Sequence, residues 1–377
     1  MVQYGKGQVS DREDILDFGN YVFSQAHQPH DFKKLVPKLY GEDSHTEQYH
    51  YLAKEDGKIK AMICALPGRL VVAGQELKTS GIGTVSVHPY SRGKGYMKEL
   101  MKRAVADAKA EGADLMCLGG QRQRYEYFGF AKACQQRSFT LTPTNRRHWK
   151  HISTKGVEVL PLSENAEYTA QCWKLHQSQP IHANRPLEQF AEICRSWSCE
   201  PFVIRKDGEF LGYVILNQEK TAAAELLLND WQDVLAVLFA LSEKSGKEIT
   251  FTPFYTQKEL IRALCLVAED GRAEDGEMFQ ALDFPRMLEL FLGLKGKRAG
   301  LLDGSLALEI PGEGKWRVTV EGGQVSVRET ADPADWSLDA VRMQNRVFGI
   351  GNLWQYDTPL ENSWFPIPLE LPNHDMT

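Results

Sequence analysis

Thr84-Val-Ser-Val-His-Pro-Tyr-Ser-Arg-Gly-Lys-Gly-Tyr96 decides how this chain is read. An apolar, strand-like segment enters a turn holding two glycines, and from Tyr96 the period changes. Met97, Leu100, Met101, Ala104, Val105 and Ala108 then recur at steps of three and four, and Gly112 supplies a natural stop. The pattern predicts a strand, a glycine-bearing turn and an amphipathic helix. Backbone amides at such a helix start are unpaired and the helix dipole adds positive potential, so a pyrophosphate fits there. Gly93 and Gly95 let the backbone come close to phosphates, while Arg92 and Lys94 add charge. The spacing by itself suits an ordinary strand-to-helix connection equally well.

Upstream, residues 11–40 read as helical. Extended segments follow at Tyr49 to Lys54, Ile59 to Leu66, Leu70 to Val72 and Ile82 to Val87. Asp56-Gly57 suits a tight hairpin turn, where both positions need positive φ, so a meandering antiparallel sheet is expected. Downstream, Leu115 to Leu118 reads as a short buried strand, Arg122 to Tyr127 as a brief helix and Phe130 to Leu141 as a closing extended stretch. A first domain would end near Pro143.

The segment from Leu52 to Ile63 overlays that from Val203 to Val214, each a strand, an Asp-Gly turn and a strand. A strand Ala224 to Leu228, a helix Trp231 to Lys244 and a strand Ile249 to Phe251 continue the match, which predicts a degenerate second copy. Its helix follows Leu228-Asn-Asp with no glycine, so nothing there can wrap a phosphate. After about residue 284 the composition shifts to an apolar helix, Met287 to Leu294, and then to strand-like alternation at Leu306, Leu308, Ile310, Trp316, Val318 and Val320. A small α+β unit is expected. The basic stretch Lys295 to Arg298 lacks a Gly-Lys-Ser/Thr ending and reads as a surface turn. The tail Trp364 to Pro372 is apolar with three prolines, and it can be neither helical nor a central strand.

A chain of 377 residues with 42% hydrophobic and 25% charged residues is an ordinary globular protein of two or three domains. No apolar run is long enough to cross a bilayer, and Met1 to Asp11 has no signal-like stretch, so a cytoplasmic protein is expected. The net charge of −6, without a basic stripe, argues against nucleic acid and anionic membranes and suits a small cationic substrate. Seven scattered cysteines with no C-x-x-C pair exclude a disulfide framework and a zinc site, and Cys64 and Cys117 read as core filler. His27-x-x-His30 and His148-x-x-His151 lack a third ligand nearby, so no metal is expected. The eight tryptophans all lie beyond the first domain, in the core or along a cavity.

A second element, Tyr125-Glu-Tyr-Phe-Gly-Phe130, follows the glycine turn at the distance that one strand and a short helix require. Together with Tyr90-Ser-Arg-Gly-Lys-Gly95 it resembles the GNAT superfamily of N-acetyltransferases. Members of that family carry Q/R-x-x-G-x-G/A at the start of the coenzyme-binding helix and a later Tyr-Glu-x-x-Gly-Phe. Only the first position departs: Tyr90 stands for Gln or Arg, which removes a side-chain contact but no amide. The resemblance covers residues 1–140. The order of a degenerate copy and an α+β tail resembles the enhanced intracellular survival branch, and Asp332-Pro-Ala-Asp-Trp-Ser-Leu-Asp-Ala340 is similar to its sterol-carrier pattern.

That resemblance implies an α+β architecture: a catalytic GNAT domain with a mixed, mainly antiparallel sheet over 1–143, a degenerate GNAT-like domain over 144–283 and a sterol-carrier-like domain over 284–377. It implies an acetyl-CoA-dependent N-acetyltransferase acting on a primary amine, of a small molecule or a protein lysine, by direct attack. The pantetheine arm would lie along Val85, Ser86 and Val87, with backbone groups of Val85 and Val87 polarising the thioester. Gly93, Gly95 and Tyr96 would hold the pyrophosphate by their amides, assisted by Arg92 and Lys94. Tyr125 would be the general acid, its phenol being a weaker acid than a thiol; Tyr127 is the alternative if the register differs. The C-terminal carboxylate of Thr377 would be the base, although the polar end from Asn373 fits a frayed tail equally. The resembled branch forms closed homo-oligomers, commonly hexamers. The competing reading is a non-catalytic module that senses coenzyme A or binds an apolar ligand in its tail domain.

Overall fold

A computed structural model describes residues 1–26, 29–42, 44–353, 355–372 and 375. His27, Asn373 and Thr377, singled out above, and one of the eight tryptophans, Trp354, lie outside the described residues. The first third supplies β1 (Val2–Lys6), the helix Arg12–Ala26, β2 (His50–Glu55), β3 (Lys58–Val72), β4 (Gln75–Val87), the helix Tyr96–Ala110, β5 (Leu115–Leu118), β6 (Ala131–Lys132) and β7 (Gln135–Leu141). The middle supplies β8 (Val157–Pro161), β9 (Ile181–Ala183), β10 (Cys199–Lys206), β11 (Glu209–Asn217), β12 (Ala222–Leu228), the helix Val234–Ser245, β13 (Ile249–Phe251), the helix Lys258–Val267, β14 (Asp270–Asp275) and β15 (Met278–Ala281). The helix Phe284–Ala299 then leads to β16 (Gly304–Ile310), β17 (Gly314–Glu321), β18 (Gln324–Glu329), β19 (Trp336–Ser337) and the helix Ala340–Phe348.

These strands form three sheets, mixed and mainly antiparallel, in an α+β architecture. The first runs β1-β2-β3-β4-β5-β15-β6 with β9 added on β3, the second runs β14-β7-β13-β12-β11-β10-β8, and the third runs β18-β17-β16-β19. Hydrogen bonding crosses the linear boundary expected near Pro143. β7 joins the second sheet, while β15, from far downstream, inserts between β5 and β6 of the first. The extended stretch from Phe130 to Leu141 is therefore divided between two sheets.

The internal repeat reaches backbone detail. Asp56 and Gly57 have φ of 51° and 76°, and Asp207 and Gly208 have 51° and 88°, so both hairpins close with two left-handed residues. A bulge interrupts β2–β3 between Ala53 and Lys54, and one interrupts β10–β11 at the corresponding place, between Ile204 and Arg205. In each copy the strand after the hairpin meets a parallel neighbour, β4 with β5 and β12 with β13.

Two local expectations are corrected. The segments Ile59 to Leu66 and Leu70 to Val72 are one strand, β3, running straight through Pro67. On its far side β2 pairs only as far as Cys64 and β9 only from Leu70, so Pro67 falls in the gap where no neighbour needs its missing N–H. The basic stretch Lys295 to Arg298 is helical, not a surface turn, because the helix begun at Phe284 continues to Ala299. Packing overrides its glycines: the Lys295 ammonium donates to the Pro366 carbonyl at 3.3 Å, Lys258 donates to the Arg298 carbonyl at 3.1 Å, and the Arg298 guanidinium lies 4.1 Å from the Tyr255 ring centre. Burial lowers the Lys295 ammonium to about 8.

The tail is extended from Phe365, as expected, and runs through the interior. Ile367, Leu369 and Leu371 are buried, and the Gln135 amide donates to the Leu369 carbonyl at 2.7 Å. All seven cysteines are free; Cys64 and Cys117 are buried filler whose thiols burial pushes up to about 12. No described helix is long and apolar enough to cross a membrane.

Candidate active site

β4 and β5 pair in parallel from Thr79–Leu115 to Ile82–Leu118 and then diverge. Beyond that point Gly83 to Val87 have no partner on the β5 side, and a cleft of about 1340 Å³ opens between the strands. On its other side β4 carries a bulge opposite Met62–Cys64, where Thr84 takes φ 43°. The bulge is held from below: the Tyr40 hydroxyl lies 2.9 Å from Thr84 Oγ1 and 3.0 Å from His50 Nε2. Burial raises the Tyr40 phenol and lowers the His50 imidazole, so both are neutral supports.

Past Val87 the chain makes one short turn, Pro89–Ser91, and starts the long helix with Gly95 as its N-cap. Gly93 and Gly95 have φ of 83° and 80°, and a Cβ on either would meet open space. Glycine is used here for backbone conformation and for a bare face, not for tight packing. Among the described residues the amides of Gly93, Gly95, Tyr96, Met97 and Lys98 find no acceptor in the protein; the first helical bond is from the Glu99 amide to the Gly95 carbonyl at 3.1 Å. Five donors thus converge at a dipole end that borders the cleft.

The expected site residues divide around this opening. Val85, Val87, Arg92, Gly93, Gly95, Tyr96 and Tyr125 all line the cleft. Ser86 does not: its side chain is buried and its hydroxyl donates to the Thr84 carbonyl at 3.0 Å. Lys94 leans away, with its ammonium 3.1 Å from Glu55, a carboxylate that also accepts from the Tyr96 hydroxyl. Tyr90 is fully on the surface at 89% exposure.

Tyr125 sits on the short helix Arg122–Tyr125 and is 5% exposed. Its ring packs against Gly120, where a Cβ would come 2.6 Å from Cε2. Burial raises the phenol, and Arg124 partly offsets the rise. Tyr127 is 63% exposed, with the Lys98 ammonium 4.2 Å from its ring centre, and does not reach the cleft.

Among the lining residues not found from sequence are four with side chains that bear on chemistry or shape: Lys98, Arg124, Trp197 and Glu277. Lys98 was findable, since it lies on the first helical turn after Gly95. Glu277 and Trp197 arrive from the second half of the chain through strand exchange and a turn with Trp197 at φ 61°, and no local pattern announces either.

Residues 3–133 match the family model described as an acetyltransferase (GNAT) domain. Residues 3–133 are thus a GNAT acetyltransferase domain. The matched region contains the glycine turn, the strand splay and Tyr125. No curated protein matches it in sequence. Solved structures share the fold over almost the whole length. A probable N-acyltransferase from Enterococcus faecalis V583 has TM-score 0.70 at 18% identity, covering 98% of this chain and 97% of that one. A GCN5-related N-acetyltransferase from Anabaena variabilis ATCC 29413 has TM-score 0.69 at 15% identity, with coverage of 98% and 97%. Eis1 from Mycobacterium abscessus has TM-score 0.66 at 14% identity, again covering 98% and 97%.

Proposed function

We propose that the chain transfers the acetyl group of acetyl-CoA to a primary amine by direct attack, with chemistry in the region 1–143. The region 144–283 serves as a degenerate GNAT-like body that completes the walls with Trp197, Ala224 and Glu277, and 284–377 is a sterol-carrier-like unit. The observation that supports this most is the set of five unpaired amides at the Gly93–Gly95 turn, opening onto the same cleft as Tyr125. The coenzyme's diphosphate would sit on those amides with Arg92 beside it, and the pantetheine would run along Val85 and Val87 into the splay. An arm inserted there would complete the hydrogen bonding that β5 leaves off.

Departure of the thiolate calls for a proton donor, and Tyr125 is the phenol beside the path. A phenol raised by burial stays protonated at neutral pH and still gives its proton to a thiolate as that charge forms. The proton acceptor is a carboxylate, for which the family resemblance nominates the C terminus at Thr377. A thermal shift with acetyl-CoA, followed by free-thiol release over a panel of amines, tests the reading. Stabilisation together with amine-dependent release supports it; stabilisation without release favours a coenzyme-sensing module, the alternative reading.

A further inference from the structure

β15 does more than fill the first sheet. It carries Glu277, the residue just before it, to the point where β4 and β5 part. There the chain continues from β5 as Gly119-Gly120, and each glycine makes room for one side chain. A Cβ on Gly119 would lie 2.8 Å from Glu277 Oε2, and a Cβ on Gly120 would lie 2.6 Å from Tyr125 Cε2. The diglycine therefore makes room for a carboxylate and a phenol that both line the cleft where β4 and β5 part, at the end of the proposed pantetheine path. The Glu277 carboxylate makes no ion pair or hydrogen bond among the described residues, and it also borders a smaller hollow of about 70 Å³ that shares Ala224 with the cleft. Val22, Phe32 and Trp197 give the same cleft apolar walls.

Resting on the acetyltransferase reading above, we infer that Glu277 is the carboxylate that receives the acceptor, pairing with the ammonium of an aliphatic primary amine whose stem lies against Trp197 and Phe32. Glu277 takes one proton from the ammonium. The neutral nitrogen attacks the thioester carbon, the C–N bond forms and the C–S bond breaks. The thiolate takes the Tyr125 proton, the second proton on nitrogen returns to Tyr125, and Glu277 releases its proton to water. Free thiol, amide and one proton are the products.

Burial raises the Glu277 carboxyl above its ordinary value, and the Lys132 ammonium partly offsets this. The other titratable groups around it are the thiols of Cys117 and Cys134 and, across the small hollow, Glu225, Glu370 and Arg137, of which Glu370 is ion-paired with Arg137. A carboxylate whose basicity is raised in this way is better matched to taking a proton near neutrality.

The test uses the full-length protein, acetyl-CoA, and n-butylamine and 1,4-diaminobutane as probe amines. Acetyl-CoA affinity is measured by calorimetry, and thiol release is followed against pH. Glu277→Gln is expected to keep acetyl-CoA affinity and to lower kcat/KM for both amines by about 100-fold. It should also remove the limb on which activity rises with pH, and Glu277→Asp should restore part of the rate. An unchanged kcat/KM in Glu277→Gln overturns the assignment. So does loss of the limb on extending the chain beyond Thr377 while Glu277→Gln retains it, because the C-terminal carboxylate is then the base. Loss of acetyl-CoA binding in Glu277→Gln overturns a chemical role in favour of a structural one. Wild-type protein that binds acetyl-CoA but turns over neither amine overturns the aliphatic-amine acceptor. Wild-type protein that fails to bind acetyl-CoA refutes instead the acetyltransferase reading beneath it.

Discussion

The two halves of the repeat place the same elements in the same order and do opposite things with them. In the first copy β4 reaches its helix through Gly93 and Gly95, both left-handed, and five amides are left without acceptors. In the second, β12 reaches the helix Val234–Ser245 through a connection with no glycine, and Asp233 at the N-cap is held by Lys206. An acidic N-cap repels the diphosphate that a bare one attracts. The splays differ in the same sense. That between β4 and β5 is an open cleft, whereas beyond the last β12–β13 pair, Ala223–Phe251, Glu225 is locked to Arg185, which also grips Asp375 of the tail at 2.8 Å. The first copy keeps its backbone unsatisfied for a ligand, and the second has closed the corresponding space with a buried ion cluster. On the proposed reading only the first copy offers a coenzyme site.

Variants that break this asymmetry rank by expected effect. Tyr125→Phe should lower kcat by about 100-fold or more while acetyl-CoA affinity changes little, read by steady-state kinetics beside calorimetry. Arg185→Met should cost about 3 kcal/mol of stability by denaturant titration, since it removes a fully buried cation and leaves Glu225 and Asp375, only 12% and 14% exposed, without it. Burial alone would raise both carboxyls, but Arg185 holds Glu225 well below the usual range and Asp375 also below it. Their contribution is therefore full above the ordinary carboxylate value of about 4 and is lost as pH falls through the lower folded values. The gap between wild type and variant should narrow in acid. Gly95→Ala should weaken acetyl-CoA by about tenfold, because a left-handed residue with a Cβ costs about 1–2 kcal/mol, which the turn relieves by leaving the conformation that presents its amides. The smallest effect is expected for Lys94→Ala, which should leave acetyl-CoA affinity within about threefold because that ammonium is engaged by Glu55.

What the sequence disclosed follows from how local each signal is. The turn at Gly93 and Gly95, the helix after it and Tyr125 were legible because each is written in neighbouring residues. The repeat was legible through its Asp-Gly turns, and the structure extends it to matching bulges. The exchange of β7 and β15 between sheets was not legible, because nothing in Gln135 to Leu141 or Met278 to Ala281 names a partner more than a hundred residues away. Glu277 was missed for that reason: its place depends on β15 pairing with β5, not on its neighbours in sequence. Lys94 was read as a phosphate contact because its position in the motif is right, but a flexible ammonium goes to the nearest carboxylate, here Glu55.

A crystal structure of the protein with coenzyme A bound tests the central claim most directly. The account predicts one coenzyme per chain, its diphosphate oxygens within hydrogen-bond distance of the amides of Gly93, Gly95 and Tyr96, and its thiol end between Tyr125 and Glu277. A diphosphate bound away from that turn, or at the connection between Leu228 and Val234, would contradict it.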